Sequence, residues 1–267
     1  MSTLISQSGR DLGTEESGRV TLPRVALLGG EGTSPTSFGA HWYFLDHRLG
    51  LPFDAVDAQD VRSISLPQYD VIVVPSASGL SRALGEEGLE RLLEWVRSGG
   101  HVVAVASAAE VFAEAVDVAM RTSEEAELER DERLARALRT GSEKDLETWE
   151  SRTPGAVLPV RLDPGHPLAF GAGLAADPTR AFVLSTGTSF EPADDLETVA
   201  HFPAGVQEVS GVISPATLER LDRSSWLVRK SLDGGSVVLF ADDPVFRIMW
   251  YAGFQPYVNA LLLAPSL

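Results

Sequence analysis

Four short runs along this chain are apolar without alternation, at 25–28, 71–75, 102–106 and 237–240. A strand covered on one face alternates apolar and polar positions. Continuous Val, Ile and Leu instead mark strands buried on both faces, as in a parallel sheet sandwiched between helices. The segments between these runs change period. Phe38, Trp42, Leu45 and Leu49 fall on one helical stripe, followed by a short strand near 53–56. Leu89, Leu92, Leu93 and Val96 form a second stripe, which Gly99-Gly100 closes as a C-cap. This alternation of strand and helix predicts an α/β fold with a mostly parallel, doubly wound sheet.

The texture then changes twice. From 120 to 153 the chain is crowded with Glu, Asp and Arg and short of large apolar residues, which predicts a charged helical insertion. A break near Gly141 would split it into a helix pair. Its charges form a solvated face or a partner-docking surface. From 154 to 213 Pro and Gly punctuate candidate strands at 157–162, 181–184, 199–202 and 209–213, a β-rich second half. These either extend the sheet or make a small antiparallel flap beside it. A last helix is expected to open at Asp243-Pro244 and to be seated by Phe246, Trp250, Tyr257 and Leu261. Residues 1–20 are polar and turn-prone and read as a flexible leader, leaving 21–267 as one α/β domain.

Charge narrows the partners. The chain carries 22 basic and 38 acidic side chains, a formal charge of −16. Such a surface repels phosphate backbones, so nucleic acid is not expected as a partner. Docking on anionic lipid is disfavoured too, and no apolar run approaches the ~20 residues that membrane insertion needs. With no cysteine, thiolate nucleophiles, disulfides and zinc–thiolate sites are excluded. No motif calls for a cofactor, and nothing in the sequence speaks to oligomeric state.

Candidate chemistry sits where strands hand over to helices. The loop containing Gly30, Glu31 and Gly32 follows the first strand and opens a helix, a place where backbone N–H groups favour anions. It matches neither the dinucleotide fingerprint nor the P-loop, and Glu31 would repel a phosphate. It is a shape-determining turn or a small-ligand or partner site. Ser107 follows the third run at the strand-to-helix position of nucleophile elbows, although Gly-x-Ser-x-Gly is absent. The alternative role is helix N-cap.

Asp242 and Asp243 close the last strand at its carboxyl end. Adjacent carboxylates there could hold a divalent cation or act as an acid/base pair. Alternatively, Asp243 caps the helix and Arg247, four residues on, pairs with it. The five histidines show no metal-ligand spacing, and His166, between Gly165 and Pro167, reads as a turn-stabilising residue. A serine hydrolase built on Ser107, with His166 or Asp242 as partner, is one reading of these residues. A sugar- or peptide-binding module lined by His41, Trp42 and Glu31 is another.

Several spaced segments, from about residue 24 to the end, resemble a known domain. They are Val25-Ala26-Leu27-Leu28-Gly29-Gly30-Glu31-Gly32, Ser37-Phe38-Gly39, Pro154-Gly155-Ala156, His166-Pro167-Leu168-Ala169-Phe170-Gly171, Leu239-Phe240-Ala241-Asp242-Asp243-Pro244 with Phe246-Arg247, and Asn259-Ala260. Together they resemble the domain C-terminal to the catalytic unit in a bacterial branch of zinc carboxypeptidases. That domain is similar to class I glutamine amidotransferases, which share the flavodoxin-like sheet.

The resemblance implies a nucleophile cysteine at the elbow and a His-Pro-Glu motif after a late strand. Here Ser107 and Ala241-Asp242-Asp243 stand at those degenerate positions. No His-x-x-Glu pair for a catalytic zinc exists either. The implied function is therefore a non-catalytic accessory domain whose partner is a peptidase catalytic domain or another protein, and which supports or presents substrate. Its sites would be Gly30, Glu31, Gly32, Ser107, His166, Asp242 and Arg247 as ligand contacts, with no metal. An isolated chain would be cytoplasmic, and one following an exported peptidase would be periplasmic or secreted.

Overall fold

A computed structural model describes residues 21–121, 138–143 and 153–267. The leader and most of the charged insertion lie outside the described residues. In the first half, strands β1 (Val25–Gly29), β2 (Phe53–Asp57), β3 (Val71–Val74) and β4 (His101–Val105) alternate with helices α1 (Pro35–Tyr43), α2 (Leu80–Arg97) and α3 (Ser107–Ala115). The second half adds β5 (Met120–Arg121), β6 (Gly155–Leu162), β7 (Arg180–Ser185), β8 (Ser189–Phe190), β9 (Glu197–His201) and β10 (Ser210–Val212). Helix α4 (Pro215–Leu221), strands β11 (Ser225–Leu232) and β12 (Gly235–Phe240), and helix α5 (Phe254–Leu262) complete it.

Strands β2, β1, β3, β4 and β12 run parallel, side by side in that order. Every residue of β1, β3, β4 and β12 is buried, as their unbroken apolar character requires. The order reverses direction at β1, which places a topological switch point between β1 and β3. This is the doubly wound, flavodoxin-like α/β sheet expected from the pattern.

The β-rich half extends this sheet. Strand β11 adds antiparallel to β12, then β9 and β6 follow, with β7 and β10 pairing β6. Strand β11 was not among the expected strands. Its signal is the Asp233-Gly234 turn, where Leu232 pairs with Gly235 and Asp233 has φ 49°, the usual chemistry of a two-residue hairpin. The charged stretch also begins differently from its expectation, because Met120 and Arg121 pair with β8 rather than starting a helix.

Two helical expectations are corrected. Of the stripe on Phe38, Trp42, Leu45 and Leu49, only Leu45 is fully buried, and Phe38 packs partly against the core. The buried residues are Ser37, Ala40, His41, Phe44 and Leu45, while Trp42 is 44% exposed and Leu49 lies outside. After Tyr43 the coil widens into a π-helix over Phe44–Leu49, shifting the residues beyond it around the axis. The second correction concerns Asp243-Pro244, which opens no helix. Arg247 and Ile248 have φ 48° and 56°, a left-handed conformation that breaks helical continuation. The final helix starts ten residues later, at Phe254.

Candidate functional site

The carboxyl ends of β1, β3, β4 and β12 open onto a cleft of about 430 Å3. Open α/β sheets bind ligands at this edge, beside the switch point. Ser34, Thr36 and Ser37 come from the loop and helix after β1, Ser76 from the end of β3, Ala106 from the end of β4, and Asp242 and Asp243 from the end of β12. The second half closes the cleft with Leu184 and Thr186, and Phe246 and Arg247 stand beside the aspartates.

The elbow falls one residue earlier than Ser107. Ala106 carries φ 49° and ψ −128°. Its N–H still donates to the Phe240 carbonyl of the neighbouring strand, while its own carbonyl already accepts from Ala109 in the helix. The whole change of direction therefore falls on one residue, which here presents only a methyl group. Ser107 is the first residue of α3 and not its cap. Its hydroxyl pairs with the Ser76 hydroxyl at 2.9 Å, and among the described residues no histidine reaches it.

A left-handed alanine of this kind stores about 1–3 kcal/mol, and glycine would release that strain at an entropic cost of about 0.5–1 kcal/mol. Ala106→Gly is accordingly expected to stabilise the protein by about 1 kcal/mol. A rise in denaturation midpoint at unchanged m-value would register it.

Asp243 organises the floor of the cleft. One carboxylate oxygen accepts from the Ser37 hydroxyl at 2.6 Å, and the other accepts from the Val245 N–H at 3.0 Å. His41 Nε2 lies 3.4 Å from that second oxygen, and His41 Nδ1 meets the Tyr257 hydroxyl at 2.7 Å. His41 is completely buried and its Nε2 has no hydrogen bond. Ser37 Oγ in turn accepts from the Ser76 N–H at 3.1 Å. Burial pushes the Asp243 carboxyl up, but His41, the Ser37 hydroxyl and the Val245 amide outweigh it and hold it below the ordinary carboxylate range. Burial, with Asp243 nearby, pushes the Tyr257 phenol well above its ordinary value.

Asp242 behaves oppositely. It is 4% exposed, and its oxygens accept from the Thr186 N–H and hydroxyl, both at 2.8 Å, and from Trp226 Nε1 at 3.1 Å. Burial raises its pKa to about 6 against the pull of these donors. Protein donors thus engage every oxygen of both aspartates. Arg247, expected to pair with Asp243, makes no ion pair among the described residues. Its guanidinium stacks over the Phe246 ring at 5.4 Å instead.

The remaining candidates lie elsewhere. Gly30 and Gly32 serve close packing: a Cβ on Gly30 would fall 2.4 Å from the Asp57 carboxylate, and one on Gly32 would fall 2.6 Å from the Gly79 backbone. Gly32 and Glu31 face a separate depression shared with Gln59 and Arg82. His166 accepts from the Leu168 N–H through Nδ1, so its Nε2 carries the proton and donates to Glu197 at 2.9 Å. That is a turn anchor outside the cleft. His41, Trp42 and Glu31 do not line one pocket, because His41 is internal while Trp42 packs on Phe38 and Phe53.

Residues Ser76 and Thr186 were not singled out from the sequence, and Ser37 was quoted there without a role in the site. The available signal was position, since Ser76 and Asp242 each stand two residues beyond a buried parallel strand.

The chain matches no protein-family model and no curated protein. Solved structures do resemble it. A glutamine amidotransferase from Thermotoga maritima aligns over 90% of this chain and 96% of its own, with TM-score 0.51 and 8% identity. PurLQS from the same organism aligns over 90% and 98%, with TM-score 0.54 and 11% identity. A ThuA-like protein from Parabacteroides merdae aligns over 90% and 89%, with TM-score 0.55 and 11% identity. The fold is thus that of glutamine-amidotransferase-type and ThuA-like flavodoxin-like domains.

Proposed function

We propose that this chain is an accessory glutamine-amidotransferase-like domain that binds ligand without turning it over and that serves a zinc carboxypeptidase by supporting or presenting substrate to its catalytic domain. The observation that carries the non-catalytic reading is Ala106. The strained position from which an elbow projects its nucleophile holds a methyl group, and the adjacent Ser107 hydroxyl is paired with another serine rather than with a base.

The peptidase association rests on the segments that resemble that family's extra domain. They pack on one another. Asn259 Nδ2 donates to the carbonyls of Leu168 and Phe170 at 2.9 and 2.7 Å, joining two of the segments, and Ser37 with Asp243 joins two more.

Turnover of simple esters, glutamine and C-terminally varied peptides by wild type and Ser107→Ala tests the first half. No turnover by either folded protein is expected. Activity that disappears in Ser107→Ala would replace this reading with a serine hydrolase. For the second half, a zinc carboxypeptidase catalytic domain of the resembled branch is assayed with and without this chain. A lower KM in its presence supports the accessory role, and unchanged kinetics with no co-elution would remove it.

A further inference from the structure

Arg247 is the one cation among the described residues that line the cleft, and it makes no ion pair with any of them. The two carboxyls beside it are engaged by Thr186, Trp226, Ser37 and Val245. Arg247 and the following Ile248 both adopt left-handed backbone conformations, which non-glycine residues rarely do in succession. Strain of this kind concentrates at ligand clamps. Leu184, Phe246 and Pro154 supply apolar wall to the same cleft, with the Phe246 ring directly under the guanidinium.

Resting on the reading of the cleft as a binding site without turnover, we infer that its ligand is a small organic monocarboxylate with an apolar body, held by Arg247. A planar guanidinium matches a carboxylate with two parallel N–H donors. The apolar walls take the body of the ligand. The charge of the ligand follows from its surroundings. One guanidinium pairs with one carboxylate, and the two aspartates beside it, on a chain of net charge −16, penalise a phosphate dianion more than a monoanion.

Calorimetric titration with N-acetyl-leucine, N-acetyl-leucinamide and phenyl phosphate tests this. Wild type is expected to bind N-acetyl-leucine at least tenfold more tightly than the amide or the phosphate. Arg247→Gln, confirmed as folded by circular dichroism, is expected to lose that tenfold preference, and Arg247→Lys to retain part of it. Equal affinity for acid and amide, preference for the phosphate, absence of binding by all three, or an unaltered preference in Arg247→Gln would each overturn the inference. These outcomes are independent of the turnover assay. Hydrolysis by wild type would sink the non-catalytic reading while a carboxylate preference survived.

Discussion

Asp243→Ala is expected to destabilise the protein by about 3–4 kcal/mol, the largest effect of any substitution in the cleft. Three groups converge on this carboxylate: the Ser37 hydroxyl and His41 Nε2 from α1, and the Val245 amide from its own turn. Each buried donor left without an acceptor costs about 1–3 kcal/mol, and His41, fully buried, has no hydrogen bond at Nε2 to fall back on. Ser37→Ala removes one donor to Asp243 and also the acceptor of the Ser76 N–H, so about 2 kcal/mol is expected there. Asp243→Asn retains one acceptor oxygen and should fall between the two. Urea unfolding of the three variants checks the order, and a loss under 1 kcal/mol in Asp243→Ala would deny Asp243 its organising role. Because its folded pKa lies below the ordinary value, the stabilisation from Asp243 is fully present above the usual carboxylate range. It disappears as pH falls through the folded pKa.

Its neighbour has the opposite pH dependence. Asp242 has a pKa raised from 3.8 to about 6 by burial, so the folded protein holds a proton there that the unfolded chain has released. Stability from this group therefore falls as pH rises from about 4 to 6, and the full penalty, about 3 kcal/mol, stands at neutral pH. Asp242→Asn removes the titration. It can still accept from Thr186 but turns an amide donor toward the Trp226 N–H, a loss that does not vary with pH. The stability difference between wild type and Asp242→Asn should move in favour of wild type by about 2 kcal/mol between pH 7.5 and pH 4. Other acidic groups cancel in that difference. Urea midpoints across this range provide the measurement, and a flat difference would mean that Asp242 ionises normally in the folded state.

The two aspartates show where sequence reading stopped. Their place at the end of a buried strand was legible, because 237–240 is unbroken Val, Leu and Phe. Their partners were not, since Thr186 and Trp226 lie 56 and 16 residues from Asp242, and Ser37 lies 206 from Asp243. No local pattern encodes such distances. The cap expected from Asp243-Pro244 was a sound local reading, but Ser37 and His41 occupy the carboxylate and the backbone at Arg247 turns left-handed. For α1 the error was one of phase. The large residues Phe38 and Trp42 suggest an inward face, whereas the helix turns its small and polar residues, Ser37, Ala40 and His41, toward the core and the cleft.

The sequence by itself determined the parallel core, because a strand covered on both faces can only be apolar throughout and the intervening helices must then shield it. It also determined the absence of a thiol nucleophile, which is a matter of composition. Tertiary structure alone decided that the second half extends the sheet, that the elbow strain falls on Ala106 rather than Ser107, and that Arg247 makes no ion pair among the described residues although two carboxylates stand beside it. Each depends on which residues meet across long stretches of chain. Those meetings are governed by packing and hydrogen-bond satisfaction over the whole domain, not by the local periodicity that a sequence displays.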